Sequence, residues 1–200
     1  MSGTNDRGKL IVISGPAGVG KTTICERLVK RPGFRQSVSC TTRAPRKGEV
    51  PGEHYEFITP DDFRRRIEAS QFIEWAEVHG HLYGTPRAFL EETVAEGKHL
   101  VLNIDVQGAD QLRGMGLDAV YIFILPPDME ALRERLFKRR TDRTDEVERR
   151  LERAEHELAE SARYDFRVVN DELDACVAGI ESWIKGSLGQ PGTNESAGRK

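Results

Sequence analysis

The chain has 200 residues, 38% of them hydrophobic, and its 33 acidic and 30 basic residues leave a formal charge of −3. This length suits one folded unit with one sizeable core, and the near balance of charge indicates no basic surface for a nucleic acid. No run reaches the roughly 20 apolar residues of a membrane helix, and residues 1–9 lack the apolar core of a signal peptide. We therefore expect a soluble, cytoplasmic protein that contacts neither nucleic acid nor membrane.

The first predicted elements are a buried strand, a glycine-rich turn and a helix. Residues 10–13 form a short β-branched run, which is typical of a strand covered on both faces. Ile24 and Leu28 lie four residues apart on the helix that follows, and Pro32 and Gly33 end it. A glycine loop between a strand and a helix is a common framework for binding phosphate.

Residues 35–97 predict a small α/β insert. The polar segment 35–58 is rich in Gly and Pro, which resist a helix, so we predict turns and short strands there. Thr59 and Pro60 then begin a helix, as cap and first helical residue. Residues 72–78 indicate an irregular strand, and a second helix closes the insert.

Two further apolar runs, residues 100–104 and 120–124, predict more strands of a parallel sheet, and Asp105 follows the first of them. Two arginine-rich amphipathic helices, a short strand and a closing helix come next. Gly, Ser, Asn and Pro dominate the end of the chain, which predicts disorder. We expect a flexible start (1–8), a core in three pieces (9–34, 98–126 and 164–186), the insert (35–97), a lid (127–163) and a disordered tail (187–200).

Residues 15–22 match the P-loop pattern G-x-x-x-x-G-K-[ST] between a predicted strand and a predicted helix. Backbone N–H groups of such a loop converge on phosphate, its lysine reaches the β and γ oxygens, and its hydroxyl meets Mg²⁺. Lys21 and Thr22 take these two places, and Asp105 would be the second, acidic element of the magnesium site. The alternative is a glycine-rich turn whose lysine faces water, and the flanking strand and helix argue against it. We assign ATP binding to Gly15, Pro16, Ala17, Gly18, Val19, Gly20, Lys21 and Thr22.

Five segments together resemble one enzyme family. They are SVSCTTRAPR at 37–46, FIEW at 72–75, YGT at 83–85, IDVQG at 104–108 and VVND at 168–171. In this order and spacing they closely resemble the guanylate kinases, over residues 9 to about 186. The resemblance implies an α/β P-loop NTPase fold, in which helices flank a parallel sheet, with a small α/β monophosphate-binding insert and a helical lid. It also implies Mg²⁺-dependent transfer of a phosphoryl group from the co-substrate ATP to GMP and dGMP, in purine nucleotide metabolism and GMP recycling.

The resemblance places the acceptor site in the insert. It implies that the GMP phosphate is held by two arginines and two tyrosines, whose guanidinium forks and hydroxyls suit an anion. It implies contact with the base for Glu74, whose carboxylate follows two apolar residues and would need donors if buried. Guanine offers its N1–H and its 2-amino group, whereas adenine offers neither, and such pairing discriminates by about 10⁴–10⁵. The full implied set is Ser39, Arg43, Arg46, Tyr55, Glu74, Tyr83 and Thr85.

The resemblance further implies catalytic roles for Lys21 and for three lid arginines, Arg135, Arg139 and Arg150, and it adds Asn170 to the ATP-binding set. An acceptor phosphate is already ionised, so the site must neutralise repulsion between two polyanions rather than supply a general base. We interpret the other arginines of this stretch as exposed partners of nearby carboxylates. They are Arg133, Arg140, Arg143, Arg149 and Arg153.

Other residues receive no role. Asn103 stands where relatives frequently have a carboxylate, so we leave it out of the site. We predict Phe63 and Trp75 to be core residues. The five histidines show no spacing typical of a metal site or a catalytic triad, and the three cysteines are interpreted as reduced packing residues.

Two other functions fit part of the pattern. Guanylate-kinase-like domains of scaffold proteins bind peptides, but those domains typically have damaged P-loops and the phosphate motif here is intact. A sugar-phosphate kinase is the second alternative, and the implied guanine-reading residues Ser39, Glu74 and Thr85 argue against it. The sequence does not indicate the oligomeric state.

Overall fold

The computed structural model describes residues 8–46, 48–138 and 144–188, with the backbone alone for residues 144–146 and 188. The predicted strands and helices occur in the predicted order, and three elements were not predicted: a strand at His81–Pro86, a helix at Val106–Gly114 and a 3₁₀ turn (Glu160–Arg163) before the last strand. In chain order they are β1 (Leu10–Ser14), α1 (Lys21–Leu28), β2 (Phe34–Gln36), β3 (Ser39–Thr41), β4 (Tyr55–Phe57), α2 (Pro60–Glu68), β5 (Phe72–Val78), β6 (His81–Pro86), α3 (Arg87–Ala95), β7 (His99–Asn103), α4 (Val106–Gly114), β8 (Ala119–Leu125), α5 (Met129–Lys138), α6 (Thr144–Ala159), β9 (Phe166–Val169) and α7 (Leu173–Leu188).

The large sheet has five parallel strands in the order β2-β7-β1-β8-β9. Its central strand β1 is buried at every residue, which explains the uninterrupted apolar run. Ile11 and Ile13 face a core formed with α1, α5, α6 and α7. Leu10 and Val12 face the opposite core, under α3 and α4. The predicted α/β architecture, with helices covering both faces of a parallel sheet, is confirmed.

The carboxyl ends of β1 and β7 lie side by side, because Ile13 is in register with Asn103. The P-loop leaves the end of β1, and Asp105 follows the end of β7. Ligands of open α/β sheets bind at this edge. The sheet therefore brings together the two segments in which the sequence predicts phosphate and magnesium ligands.

A second sheet has four strands in the order β4-β3-β6-β5. Its own small core contains Phe63 and Phe72, whose rings stack with centroids 4.4 Å apart. Helix α2 begins as predicted, since the hydroxyl of Thr59 accepts a hydrogen bond from the backbone N–H of Asp62 at 3.1 Å. This sheet carries most of the residues expected to hold GMP.

The prediction of a core position is confirmed for Phe63, which is fully buried, and is wrong for Trp75, which is 39% exposed. The register of β5 against β6 shifts between Phe72 and Glu74. Beyond the shift the strand alternates, so Glu74 points inward and Trp75 outward. The apolar pattern did not reveal this irregularity.

Among the described residues, no helix combines the length and the apolar character needed to cross a membrane. The predicted flexible start and disordered tail fall, except for residues 8, 187 and 188, outside the described residues. Arg139, Arg140 and Arg143 also fall outside them.

Candidate active site

The P-loop is a tight turn that requires glycine at three positions. Gly15, Gly18 and Gly20 have φ values of 144°, 86° and 104°, which disfavour any residue with a Cβ. Lys21 begins α1, and its ammonium donates hydrogen bonds to the carbonyls of Gly15 and, at 3.0 Å, Pro16. The lysine charge therefore lies inside the curve of the loop.

Side chains from the far end of the chain support the loop from behind. The amide of Asn170 donates to the Val19 carbonyl at 2.8 Å, and Arg135 donates to the backbone carbonyl of Asn170 at 2.9 Å. A Cβ on Gly18 would lie 2.9 Å from Cδ2 of Leu136, so α5 packs directly on the turn. In this structure Asn170 and Arg135 contact the backbone around the loop, and their predicted roles toward ATP stay predictions.

One cavity joins the P-loop to the small sheet. Its walls include the predicted donor-side and acceptor-side residues Gly15, Ala17, Gly18, Gly20, Lys21, Thr22, Ser39, Arg46, Tyr55, Glu74, Tyr83, Asp105 and Arg150. Arg150 is buried there despite its charge. The fold thus brings into one space residues that lie more than a hundred positions apart in the sequence.

The other predicted residues that the structure describes do not line this cavity, but one of them, Arg43, lines an adjoining cavity together with Arg46, Tyr55 and Tyr83. Arg43 bonds to Tyr83, and Thr85 bonds to Glu74, so both contact residues that line the cavity. Val19 belongs to the main core. Pro16 is buried, and its carbonyl accepts from Lys21.

Glu74 is a buried carboxylate at the inner end of the cavity. Only 4% of the residue is exposed, and the hydroxyl of Thr85 donates to its Oε1 at 2.5 Å. The pKa of Glu74 is raised to about 7, chiefly by burial and also by the nearby charge of Asp105, against the opposing hydrogen bonds from Thr85. Ser39, also buried, shares a hydrogen bond with the hydroxyl of Ser37 at 3.2 Å.

The predicted phosphate-binding groups form a connected cluster. The Nε of Arg43 donates to the hydroxyl of Tyr83 at 3.1 Å, and its two terminal nitrogens donate to Glu49 at 3.0 and 2.8 Å. Burial opposes ionisation of Glu49, but the hydrogen bonds from Arg43 and from the N–H of Arg46, together with the charges of both arginines, hold the pKa of Glu49 below its ordinary value. The backbone N–H of Arg46 donates to the same carboxylate at 2.7 Å. Burial raises the pKa of Tyr55 to about 12, which keeps its hydroxyl available as a donor.

Asp105 is held by three donors. It accepts from the N–H of Gly108 at 3.0 Å as the cap of α4, from Gln107 at 2.9 Å, and from Arg153 at 3.1 Å. Arg153 also donates to Glu157 at 3.0 Å, so it bridges carboxylates on α6 and at the end of β7. The interpretation of Arg153 as the partner of a nearby carboxylate is confirmed by its ion pair with Glu157, four residues on, but its expected exposure is wrong: the side chain is 28% exposed and lies beside the cavity. The same interpretation is confirmed for Arg133, which pairs with exposed Glu148.

Sequence reasoning missed three polar or charged residues of the cavity wall, Glu157, Asn103 and His79. Burial raises the pKa of Glu157, against the opposing charges of Lys21 and Arg153. The amide of Asn103, which we left out of the site, donates to the hydroxyl of Thr22 at 3.4 Å. The position of Asn103 two residues before Asp105, at the end of a parallel strand, is the sequence signal that could have placed it there.

Comparisons with known proteins agree with this geometry. The family model for guanylate kinase matches residues 7–187. The chain belongs to the guanylate kinase family. A guanylate kinase of Symbiobacterium thermophilum is 49% identical over 179 residues, covering 89% of this chain and 85% of the relative. One from Geobacter sulfurreducens is 47% identical over 178 residues, covering 88% of each. The crystal structure of guanylate kinase from Anaplasma phagocytophilum is similar, with a TM-score of 0.78 and 34% identity, covering 92% of this chain and 88% of that one.

The guanylate kinase family match spans both sheets of the structure. The P-loop of the large sheet and Glu74 of the small sheet therefore belong to one family domain. The family that the sequence motifs predicted is confirmed.

Proposed function

We propose that this protein is a guanylate kinase enzyme, which transfers the terminal phosphoryl group of ATP to GMP and gives ADP and GDP. The observation that carries the proposal is the position of Glu74, a buried carboxylate in the same cavity as an intact P-loop. A phosphate loop alone fits many donors and acceptors. A buried acceptor of hydrogen bonds beside it favours a base that offers two donors on one edge, as guanine does.

On the donor side, the backbone N–H groups of the loop residues 15–20, other than Pro16, and the start of α1 bind the triphosphate. Lys21 moves from the loop carbonyls onto the β and γ phosphates, because oxygens of a polyanion attract an ammonium more strongly than neutral carbonyls do. Arg150, buried in the same wall, supplies a second charge for the transferred group.

On the acceptor side, the cluster of Arg43, Arg46, Tyr55 and Tyr83 binds the phosphate of GMP. Arg43 is oriented in advance by Glu49, which fixes the plane of its guanidinium. Glu74, once ionised, accepts hydrogen bonds from N1–H and the 2-amino group of guanine. AMP would offer that carboxylate neither of these donors, at a large cost in a buried site.

Mg²⁺ fits the oxygen groups at the carboxyl end of β1 and β7. Thr22 presents a hydroxyl and Asp105 a carboxylate to the same cavity, and oxygen is the ligand type that Mg²⁺ prefers. Both oxygens of Asp105 already accept hydrogen bonds, so Asp105 contributes mainly its charge. The ion, when bound with ATP, neutralises charge on the phosphate oxygens. Among the described residues no cluster of three or more His, Cys, Asp or Glu side chains forms a separate metal site.

The transfer itself needs positioning and charge rather than a base. The acceptor oxygen of GMP is ionised at neutral pH, so it attacks the γ phosphorus once the two anions are held in line. Lys21 and Arg150 offset the repulsion between them. In this proposal the lid closes over the phosphates and excludes water, and the lid arginines Arg135 and Arg139 then add positive charge around the transferred group.

The test is a coupled assay of the purified protein with ATP, Mg²⁺ and each of GMP, dGMP, AMP, CMP and UMP. We expect turnover with GMP and dGMP, and rates with AMP lower by orders of magnitude, because adenine lacks both donors. Comparable rates with AMP and GMP would contradict the role of Glu74. Absence of turnover with every acceptor, in protein that binds ATP, would contradict the proposed reaction.

A further inference from the structure

The outer edge of β5 is covered by side chains of a helix. In the four-stranded sheet of the described residues, β5 pairs with β6 alone, so its other edge has no strand partner. Backbone groups on such an edge are open to water or to an intruding strand unless something covers them. Here the backbone groups of Trp75 and Glu77, two residues apart and so on the same edge, contact α4.

Gln111 makes the main contact. Its Oε1 accepts from the N–H of Trp75 at 3.1 Å, and its Nε2 donates to the carbonyl of Trp75 at 2.6 Å. One side-chain amide thus reproduces both bonds that a residue of a neighbouring strand would make. Gln107, one helical turn earlier, donates to the carbonyl of Glu77 at 3.5 Å and extends the cover along the strand.

Between the two glutamines, the helix backbone contacts the side chain of Glu74. A Cβ on residue 108 would lie 2.4 Å from Oε2 of Glu74 and 3.1 Å from its Cδ, so glycine alone allows this approach. Glu74 directly precedes Trp75, and Thr85 holds its other oxygen at 2.5 Å. The carboxylate is therefore confined between β6 and α4, and the backbone that carries it is pinned at the next residue.

We infer that Gln111 is a positioning residue that determines base specificity: by fixing Trp75 against α4 it sets where Glu74 meets the base of the monophosphate, without touching the nucleotide. This inference rests on the proposed function. Hydrogen bonds tolerate displacements of only a few tenths of an ångström, and small misplacements in a site cost large factors in rate. On that side Glu74 is held by the strand edge that Gln111 pins and by the close approach of its carboxylate to Gly108.

Gln111→Met tests this inference, because methionine keeps the length of the side chain and removes both hydrogen bonds. Gln71→Met is the matched control, since Gln71 is exposed and immediately precedes the same strand. The assay measures kcat and KM for ATP, GMP and IMP, the last of which lacks the 2-amino group. We expect Gln111→Met to raise KM for GMP about tenfold and to lower the ratio of kcat/KM between GMP and IMP by about tenfold. KM for ATP should stay at the wild-type value in both variants.

A double-mutant cycle with Glu74 distinguishes a positioning role of Gln111 from a general contribution to stability. If Gln111 acts through Glu74, its substitution in a Glu74→Gln background should change the GMP to IMP ratio far less than in the wild type. A wild-type ratio in Gln111→Met, or equal losses for ATP, GMP and IMP, would overturn the inference. Failure of the wild type to phosphorylate GMP would instead overturn the proposed function.

A second variant keeps the test decisive if Gln111→Met does not fold. Gln111→Glu retains an acceptor for the N–H of Trp75 and places a carboxylate against the Trp75 carbonyl, so one bond is kept and one becomes repulsive. We expect a smaller loss of GMP over IMP preference, in the same direction. A thermal melt with ATP present shows that the donor site is intact, and an unchanged preference in that folded variant would count against the inference.

Discussion

The side-chain amide of Asn170 donates a hydrogen bond to the carbonyl of Val19, across 2.8 Å and 151 positions of sequence. Val19 lies in the P-loop, and Asn170 directly follows β9, the last strand of the large sheet. The pairing of β9 with β8 places Asn170 beside the loop. The shape of the phosphate loop therefore depends on completion of the sheet.

Gly20→Ala should weaken this support. Residue 20 has a φ of 104°, and a Cβ there would lie 2.4 Å from the amide nitrogen of Asn170. We expect a loss of about 3 kcal/mol in the free energy of unfolding, from backbone strain and displacement of Asn170, and weaker ATP binding. Urea unfolding and titration calorimetry with ATP measure the two effects.

Gly33→Ala is the control, because its φ is 86° but no described atom lies within 4 Å of the added Cβ. It should cost about 1 kcal/mol and leave ATP affinity unchanged; equal losses in both variants would contradict the clash with Asn170.

Lys21→Ala should lower kcat by about 10²–10³, the effect of removing one preorganised donor from a developing charge. The fold should persist, because Lys21 is half-buried and bonds to loop carbonyls rather than to the core. Far-UV circular dichroism and a thermal melt check the fold, and the coupled assay with saturating ATP and GMP measures kcat. Lys30→Ala, an exposed lysine just beyond the same helix, should behave as the wild type. Undiminished turnover in folded Lys21→Ala would remove the basis of the enzyme assignment.

Local sequence patterns predicted most of the fold. The strand before the P-loop, the glycines of the turn and the cap at Thr59 are each specified by a few neighbouring residues. The physical causes are burial, positive φ and a side-chain hydrogen bond. Each of them is visible in a few residues that are close together in the sequence. Family motifs then located most of the cavity wall.

Contacts between distant segments were not predictable in this way. Arg153 and Glu157 are spaced four apart, as any exposed ion pair on a helix could be. Only the path of α6 past Asp105 places Glu157 in the cavity wall and Arg153 beside it. The register shift in β5, which exposes Trp75, and the cover of its edge by Gln111 depend on how two elements meet. Periodicity within one element carries no information on either.

Arg153→Met should loosen α6. Its guanidinium bridges Asp105 and Glu157, and without it two carboxylates face each other with less compensation. We expect a loss of about 2 kcal/mol, as for hydrogen bonds to charged partners, and faster amide exchange in α6. Hydrogen exchange followed by mass spectrometry measures this, with Arg133→Met as the control on the same helix pair. Arg133 forms an exposed ion pair with Glu148, so its removal should cost at most about 1 kcal/mol. Equal amide exchange rates in α6 for the two variants would show that the bridge made by Arg153 does not stabilise the helix.

Glu74 should make stability fall as pH rises. Its pKa is raised from 4.5 to about 7 in the folded protein, chiefly by burial. Below about pH 4.5 the folded and unfolded states both carry the proton, and the full contribution to stability is present. Between about pH 4.5 and 7 the unfolded state loses its proton first, so folding loses on the order of 3 kcal/mol relative to low pH.

Glu74→Gln removes this pH-dependent contribution to stability, because glutamine cannot titrate. Urea unfolding from pH 4 to 8 measures the difference in unfolding free energy between the wild type and Glu74→Gln. As pH rises, the wild type should lose stability relative to Glu74→Gln, and the difference should become constant above about pH 7. Glu77→Gln, at an exposed position on the same strand, is the matched control for the loss of one carboxylate. Binding should follow the opposite course, since only the ionised carboxylate accepts both donors of guanine: GMP affinity of the wild type should rise with pH up to about 7 and that of Glu74→Gln should be low throughout. A pH-independent stability difference would place the Glu74 carboxylate in water, and the argument for reading guanine with a buried acceptor would then fail.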